Sequence, residues 1–279
     1  MSLLEVLKGA SDFLARQEIE SPRLNAEHLV AHVLGVKRLE LYLQFDRPLG
    51  EKERAPLRDL VRRRGTGIPL QHLLGTVEFC GRVFACDDRA LIPRPETEQL
   101  VERALSLFSG GPSAPSLLDA ATGSGVIAVS LALGLPAATV TATDISPAAL
   151  SLARENAARL GAGRIAFHEC DLLPPGDDRH HLITANLPYI PSGEIPGLSR
   201  EVRHDPLLAL DGGEDGLDLI RRLVPATGER LLPGGRLILE IGAGQDGEVA
   251  ACLAGHNYRD IRPLPDYQGV LRFIEAVHG

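Results

Sequence analysis

Residues 117–125 read Leu-Leu-Asp-Ala-Ala-Thr-Gly-Ser-Gly, an apolar run closed by an acid and a turn of small residues, and an apolar helical stretch starts at Val126. A strand that ends in a glycine turn and feeds a helix opens a parallel α/β sheet, because the crossover helix must cover the face of the strand it leaves. Outward from this stretch, apolar strand-like runs alternate with helical periodicity to the end of the chain. Strands are expected near 117–120, 138–143, 165–169, 182–186, 236–241, 258–263 and 270–277, with helices near 126–133, 147–160, 217–231 and 246–254.

Upstream the pattern differs. Val77–Cys80 and Val83–Cys86 around Gly81-Arg82 read as a hairpin joining two domains, and residues 91–108 place Pro95 at a helix start with Glu96 and Glu98 in its first turn. A loop rich in Gly, Pro and Ser follows at 109–116. The first 75 residues have helical periodicity throughout. Leu3, Leu4, Leu7 and Leu14 share one helix face, Ser21-Pro22 reads as a cap followed by a first-turn proline, and Gly35 is the stop. A short helix is expected at Leu39–Gln44, and Glu51–Arg64 starts acidic, ends basic and stops at Gly65, as the helix dipole favours. The domains are therefore read as 1–75 helical, 76–90 a hairpin linker and 91–279 the sheet domain.

A chain of 279 residues exceeds the usual single domain and is long enough for two cores. Its net charge of −8 argues against binding nucleic acid by broad phosphate neutralisation. The charge is unevenly placed: residues 1–75 carry 12 basic and 10 acidic side chains, and the remainder 17 and 27. The N-terminal part is thus the better candidate to meet an acidic partner. Within it, Arg62-Arg63-Arg64 is read as a solvated last helical turn. Cys80, Cys86, Cys170 and Cys252 lack CxxC spacing and a histidine at zinc-finger distance, so free thiols in a reducing cytoplasm are expected. No metal is implied, and His180-His181 is read as a solvated loop pair. The N-terminus has acids among its apolar positions, and no apolar run approaches membrane-spanning length.

The glycine turn at Ala121, Thr122, Gly123, Ser124 and Gly125 lets a ligand approach bare backbone at the open end of the sheet. Asp144 ends the second strand at the distance where a carboxylate accepts from both hydroxyls of a ribose, although it also suits a cap for the helix near Pro147. Asp171 follows the third strand and suits an adenine amine, with Leu172 beside it to cover the ring. The full GxGxxG spacing of a dinucleotide enzyme is missing, and S-adenosylmethionine (AdoMet), which needs no pyrophosphate cradle, fits better.

A stiff tip, Asn186-Leu187-Pro188-Tyr189, follows the apolar run at Leu182-Ile183. The Asn186 carbonyl and the Leu187 backbone carbonyl can both accept from one planar NH2 group while the Tyr189 ring lies on its face. Pro188 restrains the backbone on both sides of its peptide bond. A strand followed by a plain proline turn is the bland alternative.

Taken in order, these motifs resemble the release factor N5-glutamine methyltransferase family (PrmC/HemK). The likeness spans almost the whole chain: a helical N-terminal part, Pro69 to Phe79, LIPRPETE at 91–98, the glycine turn, Asp144, Asp171, the Asn186 tip and DYQGVLRF at 266–273. It implies a seven-stranded class I AdoMet-dependent methyltransferase fold, with a small helical domain that docks the substrate. The methyl acceptor would be the glutamine of the GGQ motif in class 1 peptide chain release factors. Residues 121–125 would hold the methionine part of AdoMet, Asp144 the ribose, and Asp171 and Leu172 the adenine. Asn186 to Tyr189 would form the acceptor pocket, with Asn186 and Tyr189 catalytic and Asn186 also touching the cofactor. The chain departs from the family's pattern at Ala121, usually glycine, and Leu187, usually proline. Asn-Leu-Pro-Tyr also resembles the tip of rRNA adenine-N6 dimethyltransferases. An adenine-N6 methyltransferase on RNA or DNA, or a non-catalytic module docking on ribosomal or release-factor surfaces, are the competing readings. No stable nucleic-acid or membrane binding is expected.

Overall fold

A computed structural model describes every residue except 111 and 113, so those two positions of the 109–116 loop lie outside the described residues. The chain divides into two compact units. The first comprises Met1–Thr76 with Ser199–His204, and the second Val77–Leu198 with Asp205–Gly279.

The first unit packs α1 (Leu3–Arg16), α2 (Pro22–Leu34), α3 (Glu51–Gly65) and α4 (Leu70–Leu74) around Leu3, Leu7, Leu14, Leu29 and Leu57. Ser2 opens α1 in a capping box: its hydroxyl accepts from Glu5 N, and the Glu5 carboxylate accepts from Ser2 N. Two expectations change here, at Ser21 and Arg64. Ser21 precedes α2 in a left-handed conformation and makes no cap bond, since Pro22 already fixes the first turn. The short helix expected at Leu39–Gln44 is present as a 3-10 helix at Arg38–Leu43. Arg64 is buried rather than solvated: its guanidinium donates to Asn25 Oδ1 (2.7 Å) and Ile68 O (3.1 Å) and pairs with Glu201, whereas Arg62 stays exposed.

A hairpin begins with Thr76, where the N-terminal segment of the first unit ends, and runs into the second, β1 (Thr76–Phe79) and β2 (Arg82–Ala85), turning through Cys80 and Gly81 with φ of 47° and 67°. Two successive positive φ values match the right-handed twist of a hairpin, and they move the turn one residue before the expected Gly81-Arg82. Asn156, fully buried on α7 (Pro147–Leu160), accepts from Ala85 N (2.7 Å) and donates to Ala85 O (3.2 Å) and Ser124 O (2.9 Å). One side chain thus ties the hairpin to the glycine turn.

The main sheet runs in the order β5 (Ala166–Glu169), β4 (Thr139–Asp144), β3 (Ser116–Ala120), β6 (His180–Asn186), β7 (Leu231–Glu240), β9 (Leu271–His278) and β8 (Tyr258–Pro265). The first five are parallel, and β9 is antiparallel to both neighbours. Both faces are covered. Leu117, Val140, Leu182 and Ile238 point toward α5 (Pro95–Ser106) and α6 (Val126–Gly134), while Leu118, Ile183, Leu237 and Leu239 point toward α8 (Asp218–Gly228) and α9 (Asp246–Ala254). Neighbouring residues therefore serve opposite cores, which is why these strands read as continuous apolar runs. His180 and His181 are not a loop pair. They start β6, where His180 is buried with Nδ1 3.0 Å from Ser116 Oγ and His181 Nδ1 accepts from Ser116 N (3.0 Å).

Candidate active site

The parallel strands β3, β4, β6 and β7 end on one edge of the sheet in Asp119-Ala120, Asp144, Asn186 and Glu240. Parallel register places Asp119 beside Thr184 and Asn186 beside Glu240. A cavity of about 230 Å³ opens beyond this edge, lined by residues 121–124, Asp144, Asp171 and Leu172, and 186–188. The structure thus gathers nearly all the sequence-derived candidates around one space, as expected at the carboxyl ends of parallel strands. Gly125 and Tyr189 support it from outside the lining.

The glycine turn is held from below. Asp119 is fully buried, and its carboxylate accepts from Thr122 Oγ1 (2.6 Å) and Thr184 Oγ1 (2.8 Å). Burial pushes this carboxyl up to about 7 despite those bonds. Thr122 N also donates to Thr143 O (2.8 Å), joining the turn to β4. Ala121, Gly123 and Gly125 have φ of 54°, 56° and 83°. A side chain at Gly125 would meet Ala153 Cβ at 2.9 Å, so glycine there permits α6 to approach α7. Ala121 occupies the left-handed region without being glycine and bears the associated strain.

Asp144 is 9 % exposed; Oδ2 accepts from Gly123 N (2.8 Å) and Oδ1 from Ser146 N (2.9 Å). Burial raises its pKa above the ordinary aspartate value. It is not the cap of α7: that position belongs to Ser146, whose hydroxyl accepts from Ala149 N (3.2 Å). The Asp171 carboxylate is paired with Arg222 across the cavity wall, an engagement invisible in the local sequence. Leu172 has a φ of 64°, and its carbonyl accepts from Thr143 Oγ1 (2.5 Å).

At the tip, Asn186 Nδ2 donates to Thr97 Oγ1 (3.3 Å) and, among the described residues, no protein group donates to Oδ1. Leu187 packs its side chain into the core under α8, and no described group donates to its carbonyl. Tyr189 is fixed through its carbonyl, which accepts from Gln245 Nε2 (3.0 Å), and burial raises its phenol. Beside the tip, Arg94 pairs with buried Asp205 (2.7 Å), which also accepts from Ile92 N (3.1 Å) and so fixes the Leu91–Pro95 stretch against the cavity. The reading of the tip in isolation misses Thr97, Asp205 and Glu240. A glutamate closing the apolar run Leu237–Leu239 was the available signal, since β4 and β6 also end in polar residues at the same edge.

A family model described as the PrmC N-terminal domain matches residues 5–75, and one described as a methyltransferase domain matches residues 117–204. The release factor glutamine methyltransferase of Geobacter sulfurreducens is 43 % identical over 275 residues, covering 98 % of this chain and 95 % of its own length. That of Deinococcus radiodurans is 42 % identical over 277 residues, covering 99 % and 98 %. The chain belongs to the release factor glutamine methyltransferase family. Its fold is the class I methyltransferase sheet. A solved methyltransferase from Pyrococcus furiosus has the same fold at 16 % identity, with a TM-score of 0.53 over 70 % of this chain and 88 % of that one.

Proposed function

We infer that this protein transfers a methyl group from AdoMet to the side-chain amide nitrogen, N5, of the glutamine in the GGQ motif of class 1 peptide chain release factors. Family membership over the full chain supports the reaction. The observation that ties it to this site is the pair of acceptors at the tip, Asn186 Oδ1 and the Leu187 carbonyl, which no described protein group occupies.

The residues present fit the cofactor. Ala121 to Ser124 bring main chain to the cavity, and Asp144, which accepts from backbone N–H groups through both oxygens, keeps a further lone pair for a ligand. The arginines lining the cavity are already neutralised, Arg89 by Asp87 and Glu155, Arg94 by Asp205 and Arg222 by Asp171. A pyrophosphate would find no unpaired guanidinium among them, which favours AdoMet over a dinucleotide. Residues 121–125 would hold its methionine part, Asp144 its ribose, and Asp171 and Leu172 its adenine. Bound there, AdoMet supplies an electrophilic methyl group on a sulfonium.

An amide nitrogen is a poor nucleophile because its lone pair is delocalised into the carbonyl, so position must do most of the work. Asn186 and the Leu187 carbonyl each take one N–H of the acceptor, which lets the nitrogen pyramidalise with its lone pair directed along the line of transfer. Both acceptors gain as positive charge develops on that nitrogen, so they favour the transition state over the ground state. Tyr189, outside the cavity lining, steadies the tip through its carbonyl, which accepts from Gln245 Nε2 (3.0 Å). The methylated, protonated amide is acidic and releases its surplus proton to solvent, so no strong base is required.

Among the described residues, no helix is long and apolar enough to cross a membrane. The four free thiols suit a reducing cytoplasm, where release factors act. The deciding experiment is mass spectrometry of the GGQ peptide of a release factor incubated with enzyme and AdoMet, with bulk RNA in parallel. One methyl group on the glutamine, and none on RNA, is the expected result. Methylation of RNA adenine alone would replace this reading, and absence of calorimetric AdoMet binding would replace it with a non-catalytic one.

A further inference from the structure

We propose that Thr97 and Glu240 are positioning residues that lock the Asn186 side-chain amide in one of its two orientations, with NH2 turned inward and the carbonyl oxygen presented to the methyl acceptor. The proposal rests on the reading of Asn186 as the group that orients that acceptor.

An asparagine amide is nearly symmetric in shape, and only its carbonyl half can accept from an incoming NH2 group. Flipped, it would present N–H to N–H and repel the substrate. What sets the orientation must therefore come from behind the side chain. Glu240 is the residue paired with Asn186 across β6 and β7, and it is 2 % exposed. Thr97 and Asn186 are the donors that hold its pKa down against burial, while Oε2 has no hydrogen-bond partner among the described residues. Asn186 Nδ2 also donates to Thr97 Oγ1 (3.3 Å). An ionised carboxylate can only accept, so Thr97 gives it the hydroxyl proton and keeps a lone pair for Asn186, whose NH2 must then face inward. Whether Asn186 reaches Glu240 directly or through Thr97, its NH2 half is the one turned inward while Glu240 is charged.

A buried, incompletely bonded carboxylate is costly to keep, and burial pushes Glu240 up to about 7. Arg272 on β9 opposes that rise, Glu96 on α5 adds to it, and Tyr189 and Arg94 lie within the same field. Once protonated, Glu240 can donate, the direction is lost, and the flipped amide becomes accessible. The site thus gains correct orientation with rising pH.

The test has two readouts. In the free protein, the Asn186 side-chain NH2 signals, assigned by their loss in Asn186→Ala, are expected to titrate near pH 7 in the wild type and to stay constant in Glu240→Gln. This readout needs no methyl transfer, so it decides the proposal even if the GGQ reading fails. In the second, Thr97→Val is expected to lower kcat on release factor about five- to tenfold, the cost of one lost hydrogen bond, with AdoMet affinity and Tm little changed. Thr97→Ser should restore it. Glu240→Gln should remove the acid limb of the kcat profile. Asn186 signals identical in wild type and Glu240→Gln at every pH would overturn the proposal. So would Thr97→Val with wild-type kcat, or a Thr97→Ser variant as impaired as Thr97→Val. If wild-type enzyme methylates the peptide and these variants do likewise, the functional reading stands and the positioning role falls.

Discussion

Asn186 and Asp144 end two parallel strands on the same edge, yet their substitution is expected to damage different constants. Asn186→Ala removes an acceptor whose gain is realised in the transition state, so kcat should fall by about two to three orders of magnitude, the roughly 2.7–4 kcal/mol of a lost oxyanion-type contact. AdoMet affinity should stay within about tenfold. Asp144→Ala should instead weaken AdoMet, since a hydrogen bond to a charged group contributes roughly 1.5–3 kcal/mol. It also strips the partners of Gly123 N and Ser146 N, so some loss of Tm accompanies it. Calorimetry and initial rates on each variant separate the two. An unchanged AdoMet Kd in Asp144→Ala would leave that carboxylate as a brace for the turn and nothing more. Ala121 makes a third case. Its φ of 54° costs roughly 1–2 kcal/mol for a residue with a Cβ, and glycine would return part of that as freedom of the unfolded chain, about 0.4–1 kcal/mol. Ala121→Gly is therefore expected to raise stability by up to about 1 kcal/mol in denaturant titration, and a less stable variant would show that the alanine methyl is packed to advantage.

The strands of the sheet present a common chemical feature at their ends, and it gives stability a pH dependence. Asp119 and Glu240 are both pushed up to about 7 by burial, whereas unfolded carboxyls ionise at roughly 4. Between those values the folded state holds more protons than the unfolded chain, so each group's contribution falls as pH rises through the window. Buried His180, pushed down to about 4, acts oppositely up to its unfolded value near pH 6.5, so absolute Tm mixes several groups. The difference between Glu240→Gln and wild type isolates one. Scanning calorimetry from pH 5.5 to 8 should show that difference growing in the variant's favour, and a constant difference would mean that Glu240 is already ionised throughout. Elements like these strands were legible in the sequence because each is a contiguous apolar run. What escaped was short or remote. The five-residue α4 shows too little periodicity to register. The buried state of Arg64 depends on Asn25 and on Glu201, 137 positions away, and the Asn186 amide depends on Thr97, 89 positions away. Local pattern carries no information about such partners, and the bland readings of Arg64 and His180 failed for that reason.

For the whole molecule, the division of charge bears on how a protein substrate is held. Residues 1–75 carry net +2 and the rest net −10. A single glutamine offers few contacts, so binding energy from remote surfaces must supply much of what positions it. We therefore assign docking of the release factor to the N-terminal helical part. Deleting residues 1–75 is a poor test, because Ser199–His204 belongs to the same unit. Arg200 donates to Gln17 O (2.8 Å), and Glu201 pairs with Arg64, so the cut would leave both without these partners. Reversing exposed charge keeps that framework. Arg62 and Arg63 have side chains 75 % and 48 % exposed, at the basic end of α3. The double variant Arg62→Glu, Arg63→Glu should raise KM on whole release factor roughly fivefold, as about 1 kcal/mol of rim electrostatics implies, and the wild type should lose the same advantage at high salt. On a GGQ peptide, which lacks the remote surfaces of the whole factor, kcat/KM should not change. Equal losses on both substrates would mean that the variant had only damaged the fold. Wild-type KM on whole release factor would place docking elsewhere than on this basic turn.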